Sequence, residues 1–162
     1  MSPTQPAAYS RLHIVLHWLI AALVVFQLIF GEAIGQLGRA LRDGRTLSPL
    51  DTILGNAHIY GGVAILLLTV LRLGIRHRQG VPTPLPSSAW QEQAAKWTHV
   101  LFYALLLITP LTGLAAWFLD IHLAGEFHEL MKPVFILLIV IHVGATLWHQ
   151  VVLKDGILKR MM

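Results

Sequence analysis

Residues 133–153 read PVFILLIVIHVGATLWHQVVL, a run of 21 residues without Asp, Glu, Lys or Arg. A membrane-spanning helix needs about 20 mostly apolar residues. Comparable runs lie at 12–31, 53–73 and 100–119, and Arg72 is their only Lys, Arg, Asp or Glu. We therefore predict an all-α membrane protein, a four-transmembrane-helix bundle. Residues 1–162 form one domain, with spans at about 12–31, 53–75, 96–119 and 128–153.

The composition supports a membrane protein and excludes several cofactor classes. Hydrophobic residues make up 56% of the 162-residue chain and charged residues 12%, against about 25% charged residues in soluble domains. The first run is about 20 residues long and lacks a small-residue cleavage pattern after it, so we do not interpret it as a cleaved signal peptide. The chain has no cysteine, which excludes thiolate-held iron–sulfur clusters, c-type haem attachment and disulfides.

The net charge of +4 is distributed unequally between the two sides of the predicted membrane domain. Eight basic residues fall on the side of both termini and four on the other, which places the termini in the cytoplasm by the positive-inside rule. The basic excess is thus a topology signal with membrane lipids as neighbours, and we expect no nucleic-acid partner. The eight are Arg11, Arg72, Arg76, Arg78, Lys96, Lys154, Lys159 and Arg160; the four are Arg39, Arg42, Arg45 and Lys132.

The connections between the runs have distinct patterns. Ser10 is a suitable N-cap for the first helix. Residues 33–42 carry Ile34, Leu37 and Leu41 on one face and predict a short amphipathic helix at the interface. In residues 80–88, prolines at every second position from 82 to 86 predict an extended linker. Pro110 lies inside the third run, where we expect a kink.

Histidines are the polar side chains that stand out in this hydrocarbon setting. An ionisable residue within a membrane span is a functional hypothesis by default, and imidazole is well suited to hold haem iron from both faces. His17 and His142 are predicted at the inner depth of the bilayer, and His58 and His128 at the outer depth. His128 and His142 are 142 − 128 = 14 residues apart, or roughly 21 Å along one helix face. This is the geometry of two bis-histidine haems in a four-helix bundle.

Periodicity alone leaves part of this assignment open. His149 follows His142 by seven residues on the same face, and His13 precedes His17 by one turn. An intramembrane histidine can also serve only as an interhelical hydrogen-bond partner. A proton or metal-ion transporter that uses the histidines as a relay without haem is therefore a rival interpretation.

At these residues the chain resembles the bacterial cytochrome b561 family of small four-helix dihaem membrane cytochromes. The ordered set that carries the resemblance is Tyr9-Ser10-Arg11-Leu12, His17-Trp18, His58, Gly62, Arg72, Arg76, His99, Tyr103, Pro110, Gly113, Phe127-His128-Glu129, His142, His149 and Lys154-Asp155-Gly156. The resemblance implies that His17 and His142 ligate the iron of an inner haem b, and His58 and His128 that of an outer one. It also implies a multi-pass protein of the bacterial inner membrane.

The resemblance further implies electron transfer between an outer one-electron donor and ubiquinone. One family member looks like a superoxide:ubiquinone oxidoreductase, so superoxide is the candidate donor. A quinone site is then expected around His149, with Ser10, Arg11 and Trp148. The family is also similar to cytochrome b subunits of hydrogenases and formate dehydrogenases, so an electron-carrying subunit of a larger complex is the alternative, and a dimer or partner subunit is compatible with both.

Two departures from the family pattern affect the outer side. Lys132-Pro133 falls in the first turns of the fourth span, so that helix either kinks there or begins at Pro133 with His128 on a loop. The connection between the first two spans is long and the last one short. We therefore expect a remodelled outer face.

Overall fold

The computed structural model describes residues 8–82 and 88–162. Five α-helices occur there: α1 (Arg11–Phe30), α2 (Glu32–Asp43), α3 (Pro49–Gln79), α4 (Ala89–Leu119) and α5 (His122–Trp148). The described part holds no strand. A π-helical turn, His149–Leu153, extends α5, and a 3-10 turn, Leu158–Met161, follows. The predicted extended linker falls partly on residues 83–87, which lie outside the described residues.

Four helices are long and apolar enough to cross a membrane, as the sequence predicts: α1, α3, α4 and the continuous segment His122–Leu153. Their packing is sequential, with α1 against α3, α3 against α4 and α4 against α5. A small core joins them, formed by Ile20, Val24, Ile65, Leu105, Leu106, Phe135 and Leu138. Many other large apolar side chains are exposed, which suits a bundle whose outer surface meets lipid.

Local signals set where the helices begin. The Ser10 hydroxyl accepts a hydrogen bond from the His13 backbone amide, so Ser10 is the N-cap of α1 as predicted. Ser48 caps α3 in the same way through Asp51, with Pro49 in the first helical position. A reciprocal capping box between Ser88 and Gln91 starts α4.

The amphipathic helix predicted in the first connection is α2, but the predicted apolar face is correct only in part, because Leu41 is 66% exposed. The helix buries Ala33, Leu37 and Ala40 and packs on α3. The approach is close, because a Cβ at Gly55 would lie 2.8 Å from a Leu37 methyl carbon. Helix α2 therefore lies over the bundle at the end opposite the chain termini. We call these two ends the α2 end and the termini end.

Helix α5 resolves the alternatives raised by Pro133. The helix begins at His122 and continues through Pro133 without a break. His128 is therefore on the helix, not on a loop, and it shares α5 with His142. Their 14-residue separation corresponds to roughly 21 Å along the axis, so α5 carries one imidazole toward each end of the bundle.

Candidate functional site

At the α2 end, two imidazoles from different helices face each other. The ring centres of His58 on α3 and His128 on α5 lie 5.9 Å apart, with the rings at 78°. Both rings line a cavity of about 630 Å³ that all five helices border. Its size lies within the range of about 300–1,000 Å³ that is usual for cofactor and ligand pockets.

The ring of His128 is fixed by the backbone of α4. Its Nδ1 atom lies 2.8 Å from the carbonyl oxygen of Thr109, so Nδ1–H donates and the Nε2 lone pair is left for a ligand. The glycine at position 113 makes room for the ring, because a Cβ there would lie 2.8 Å from His128 Cε1. Helix α4 thus orients His128 through the hydrogen bond to Thr109 and through the space that the absence of a side chain at Gly113 leaves for the ring.

His58 is held through its backbone and keeps a ring nitrogen unpaired. The Gln27 side chain on α1 donates a hydrogen bond of 2.8 Å to the His58 carbonyl oxygen. His58 Nδ1 is buried and has no hydrogen-bond partner among the described residues. A buried polar atom of this kind normally has a partner, and the atom belongs to a ring that lines the cavity.

At the termini end, His17 on α1 and His142 on α5 form the second pair, with ring centres 6.4 Å apart and rings at 57°. Sequence reasoning did not assign a role here to His99, yet its ring centre on α4 lies 6.3 Å from that of His142. The ring centre of Phe102 also lies close to this group, 5.4 Å from that of His142. His13 and His149, which periodicity could not separate from His17 and His142, make other contacts. His13 stacks on Tyr9, and His149 is hydrogen-bonded to Asp155.

Both pairs fit a haem better than a bare metal ion. Metal–imidazole bonds are about 2 Å long, so two rings on opposite sides of one ion have centres roughly 6 Å apart, close to the 5.9 and 6.4 Å observed. Within the described ranges, no group of three or more His, Asp or Glu side chains is arranged to hold a metal ion. In a haem held by two histidines the protein supplies the two axial donors and the macrocycle supplies the remaining ligands.

His149 occupies the π-helical turn at the end of the last span. Its Nδ1–H donates to Asp155 Oδ2 at 2.5 Å, and Asp155 Oδ1 accepts from the Ile157 amide. The hydrogen bond from His149 lowers the pKa of the Asp155 carboxyl. Lys154 and Gly156 adopt positive φ, 52° and 75°, so the chain turns back sharply enough for Asp155 to reach the ring. Sequence reasoning missed Asp155 as a site residue.

The other residues predicted with His149 make no polar or ring interaction with it among the described residues. Ser10 caps α1, Arg11 is exposed at the start of that helix, and Trp148 is 57% exposed. No hydrogen bond, ion pair or ring contact in the described part of the chain joins them to His149. The start of α1 does meet the C-terminal segment, because Trp18 Nε1 donates to the Met161 carbonyl oxygen at 2.7 Å.

Four helices long and apolar enough to span a membrane, with imidazoles that face each other at both ends of the bundle, are consistent with a membrane cytochrome of the b type. The sequence pattern of the prokaryotic cytochrome b561 family matches residues 8–162. The chain belongs to this family.

Similar proteins cover nearly the whole chain. A protein named cytochrome b562 from Cereibacter sphaeroides is 37% identical over 159 residues, which is 98% of each chain. Cytochrome b561 homolog 1 of Escherichia coli is 28% identical and covers 95% of this chain and 96% of its own. A protein named "Probable superoxide oxidase CybB" from Yersinia pestis is 29% identical over 95% of each chain.

Membership in the family fixes the general function. The protein is a multi-pass protein of the bacterial inner membrane that takes part in electron transport and binds haem b.

Proposed function

We propose that this protein carries electrons across the inner membrane, from a one-electron donor at the α2 end to the quinone pool at the termini end. The observation that carries the proposal is the presence of two cross-helix imidazole pairs on opposite halves of α5. Their separation of roughly 21 Å fits within a hydrocarbon core about 30 Å thick. Such spacing suits two redox centres, one near each membrane face.

Two haems b are the cofactors of this proposal. His58 and His128 hold the one at the α2 end, and His17 and His142 the one at the termini end. Haem bound between two imidazoles supplies a one-electron carrier whose axial positions are both closed, which favours electron transfer over oxygen binding. The Thr109 carbonyl oxygen raises the donor strength of His128 by accepting a hydrogen bond from its Nδ1–H.

The orientation in the membrane follows from charge. The termini end carries eight basic residues and the α2 end four, so the termini lie in the cytoplasm. The α2 end then faces outward, and a donor that cannot cross the membrane meets the cavity beside His58 and His128.

Superoxide is the donor that this proposal favours. Arg39 and Lys132 line the cavity at the α2 end together with Glu32 and Glu129. Cations attract a small anion and raise its rate of encounter. Arg45 is less suited, because Asp43 pairs with it at 2.8 Å, and Glu32 lies 3.8 Å from Lys132. Arg39 is therefore the main steering cation. The name of the Yersinia pestis relative, a probable superoxide oxidase, supports this donor.

Ubiquinone is the acceptor, at a site around His149 with Ser10, Arg11 and Trp148. Quinone reduction consumes protons, and histidine is the side chain whose ordinary pKa suits proton transfer near neutral pH. Asp155 orients the ring through Nδ1, which leaves Nε2 free to exchange a proton with the quinone oxygen.

The test is rapid mixing of the purified protein in lipid nanodiscs with superoxide, with and without ubiquinone. We expect reduced b-type absorption bands faster than spontaneous dismutation, and their reoxidation when ubiquinone is present. No reduction by superoxide would contradict the proposed donor. Reduction that requires an added partner complex would instead support a subunit of a larger dehydrogenase or hydrogenase.

A further inference from the structure

The termini end of the bundle holds a group of cations enclosed among helices. Arg72 and Arg76 extend from α3 toward α4, and their guanidinium carbons lie 5.7 and 5.8 Å from the centre of the Tyr103 ring. Both residues are half-buried, whereas Arg78, two residues further on, is exposed. Arg72 Nε is fully buried and has no hydrogen-bond partner in the described residues.

A buried histidine adds a further polar group to this cluster. His13 on α1 is 2% exposed, and its Nε2 atom is buried with no hydrogen-bond partner in the ranges described. Arg72 and Arg76 are near enough to His13 to act on it electrostatically. Arg72 also lies within electrostatic range of His17 and His142. We call Arg72, Arg76 and His13 the basic cluster; it adjoins the imidazole pair.

Within residues 8–82 and 88–162, no Asp or Glu side chain forms an ion pair with Arg72 or Arg76. Asp43 pairs with Arg45, Glu32 lies near Lys132, and Asp155 is hydrogen-bonded to His149. The acids of the termini end are Glu92, exposed near the start of α4, and Asp155, which engages His149. A guanidinium taken out of water without a partner is costly. Arg72 Nε is the buried donor that lacks a partner here, so an anion bound at this point would satisfy it.

We propose that the basic cluster binds the two propionate carboxylates of the haem held by His17 and His142. This inference rests on the proposed function, because it requires a haem at that pair. Two guanidinium groups suit two carboxylates, since each can donate paired hydrogen bonds to one of them. The enclosed position of Arg72 Nε, beside an imidazole pair rather than on the lipid-facing surface, favours haem carboxylates over lipid phosphates.

Cations beside the propionates stabilise the reduced haem, which carries one more negative charge than the oxidised haem. Removing one cation should therefore lower the midpoint potential of this haem and leave the other unchanged. The variant is Arg72→Gln, and Arg72→Lys should recover most of the wild-type potential because it keeps the charge. Arg78→Gln removes the same charge from an exposed site on α3 and serves as the matched control.

The experiment is spectroscopic redox titration of the purified holoprotein in nanodiscs of zwitterionic lipid. A second readout is the redox-induced infrared difference spectrum of protein containing haem labelled with ¹³C at the propionate carboxyls. We expect Arg72→Gln to lower one of two potentials and to shift the labelled carboxylate bands. Arg78→Gln should change neither. Arg76→Gln is the second variant if Arg72→Gln does not assemble.

An unchanged potential and unchanged labelled bands in both Arg72→Gln and Arg76→Gln would overturn the inference. An effect that occurs only in nanodiscs containing anionic lipid would assign the cluster to lipid headgroups and would also overturn it. Failure of the proposed function has a different signature. In that case His142→Ala would leave the haem content of the protein unchanged, whatever the arginine variants do.

Discussion

The Nδ1 atom of His128 lies 2.8 Å from the carbonyl oxygen of Thr109, across the interface between α5 and α4. This contact fixes both the orientation and the tautomer of the ring, because the proton must sit on the nitrogen that faces the carbonyl. Nε2 is then the atom available to a metal. A backbone carbonyl performs this role, so the orientation of His128 depends on how α4 packs rather than on one replaceable side chain.

Gly113 should be indispensable to the site at the α2 end. In Gly113→Ala the new Cβ would meet His128 Cε1 at 2.8 Å, and overpacking of this kind costs about 1–3 kcal/mol. We expect the ring to be displaced and the purified protein to lose most of one haem. Gly144→Ala is the control, because a Cβ there meets nothing within 4 Å. Equal haem content in both variants, measured as the pyridine haemochrome, would refute this role.

Asp155 should act as a positioning residue for quinone reduction. Asp155→Asn removes the carboxylate that orients His149, while the imidazole pairs remain intact. A positioned acid or base contributes about 10²- to 10⁴-fold, so we expect oxidation by ubiquinone to slow by about 10- to 100-fold. His149→Ala should slow it similarly with both haems retained. Glu92→Gln, at an exposed acid of the same end, should not; wild-type kinetics in Asp155→Asn would exclude the role.

The hydrogen bond between His149 and Asp155 also predicts a pH effect on stability. The hydrogen bond from His149 lowers the pKa of the Asp155 carboxyl in the folded protein. Its contribution is therefore present above the unfolded value of about 3.9 and is lost as pH falls through the lower folded value. Denaturant unfolding in detergent at pH 3 and pH 6 should show a smaller pH-dependent difference for Asp155→Asn than for wild type. An unchanged difference would contradict the assignment.

Arg39 should increase the rate of encounter with superoxide, whereas Arg45 should not. Arg39 lines the cavity, and Arg45 is neutralised by Asp43 at 2.8 Å. Electrostatic steering by whole clefts raises on-rates by about 10- to 10³-fold, so loss of one charge should lower the bimolecular rate several-fold. We expect this for Arg39→Gln at low ionic strength, with the difference shrinking in salt. The idea fails if Arg45→Gln gives the same decrease.

The number and order of the long helices can be predicted from the sequence. Hydropathy alone locates the four helices that can span a membrane, since an uninterrupted run of about 20 apolar residues is typical of a membrane-spanning helix. The spacing of Ile34, Leu37 and Leu41 predicts α2. The 14-residue offset from His128 to His142 places one imidazole toward each end, provided that α5 continues through Pro133, which only the structure establishes.

The details of the sites depend on packing that no periodicity encodes. His99 joins His142 because α4 rests on α5 at that level. The Gln27 side chain on α1 donates a hydrogen bond to the His58 carbonyl oxygen on α3. Asp155 returns to His149 only because Lys154 and Gly156 reverse the chain direction. Side-chain contacts between separate elements arise from tertiary geometry, so sequence spacing alone could not identify these contacts.

Haem content of single-histidine variants tests the central claim most directly. Two haems per chain are expected in wild type, and His142→Ala and His58→Ala should each retain about one, with the retained haem differing in midpoint potential between the two variants. His149→Ala should retain both. A correctly folded wild-type protein without haem, or single variants that lose both haems or neither, would contradict cofactor sites formed by His17 with His142 and by His58 with His128.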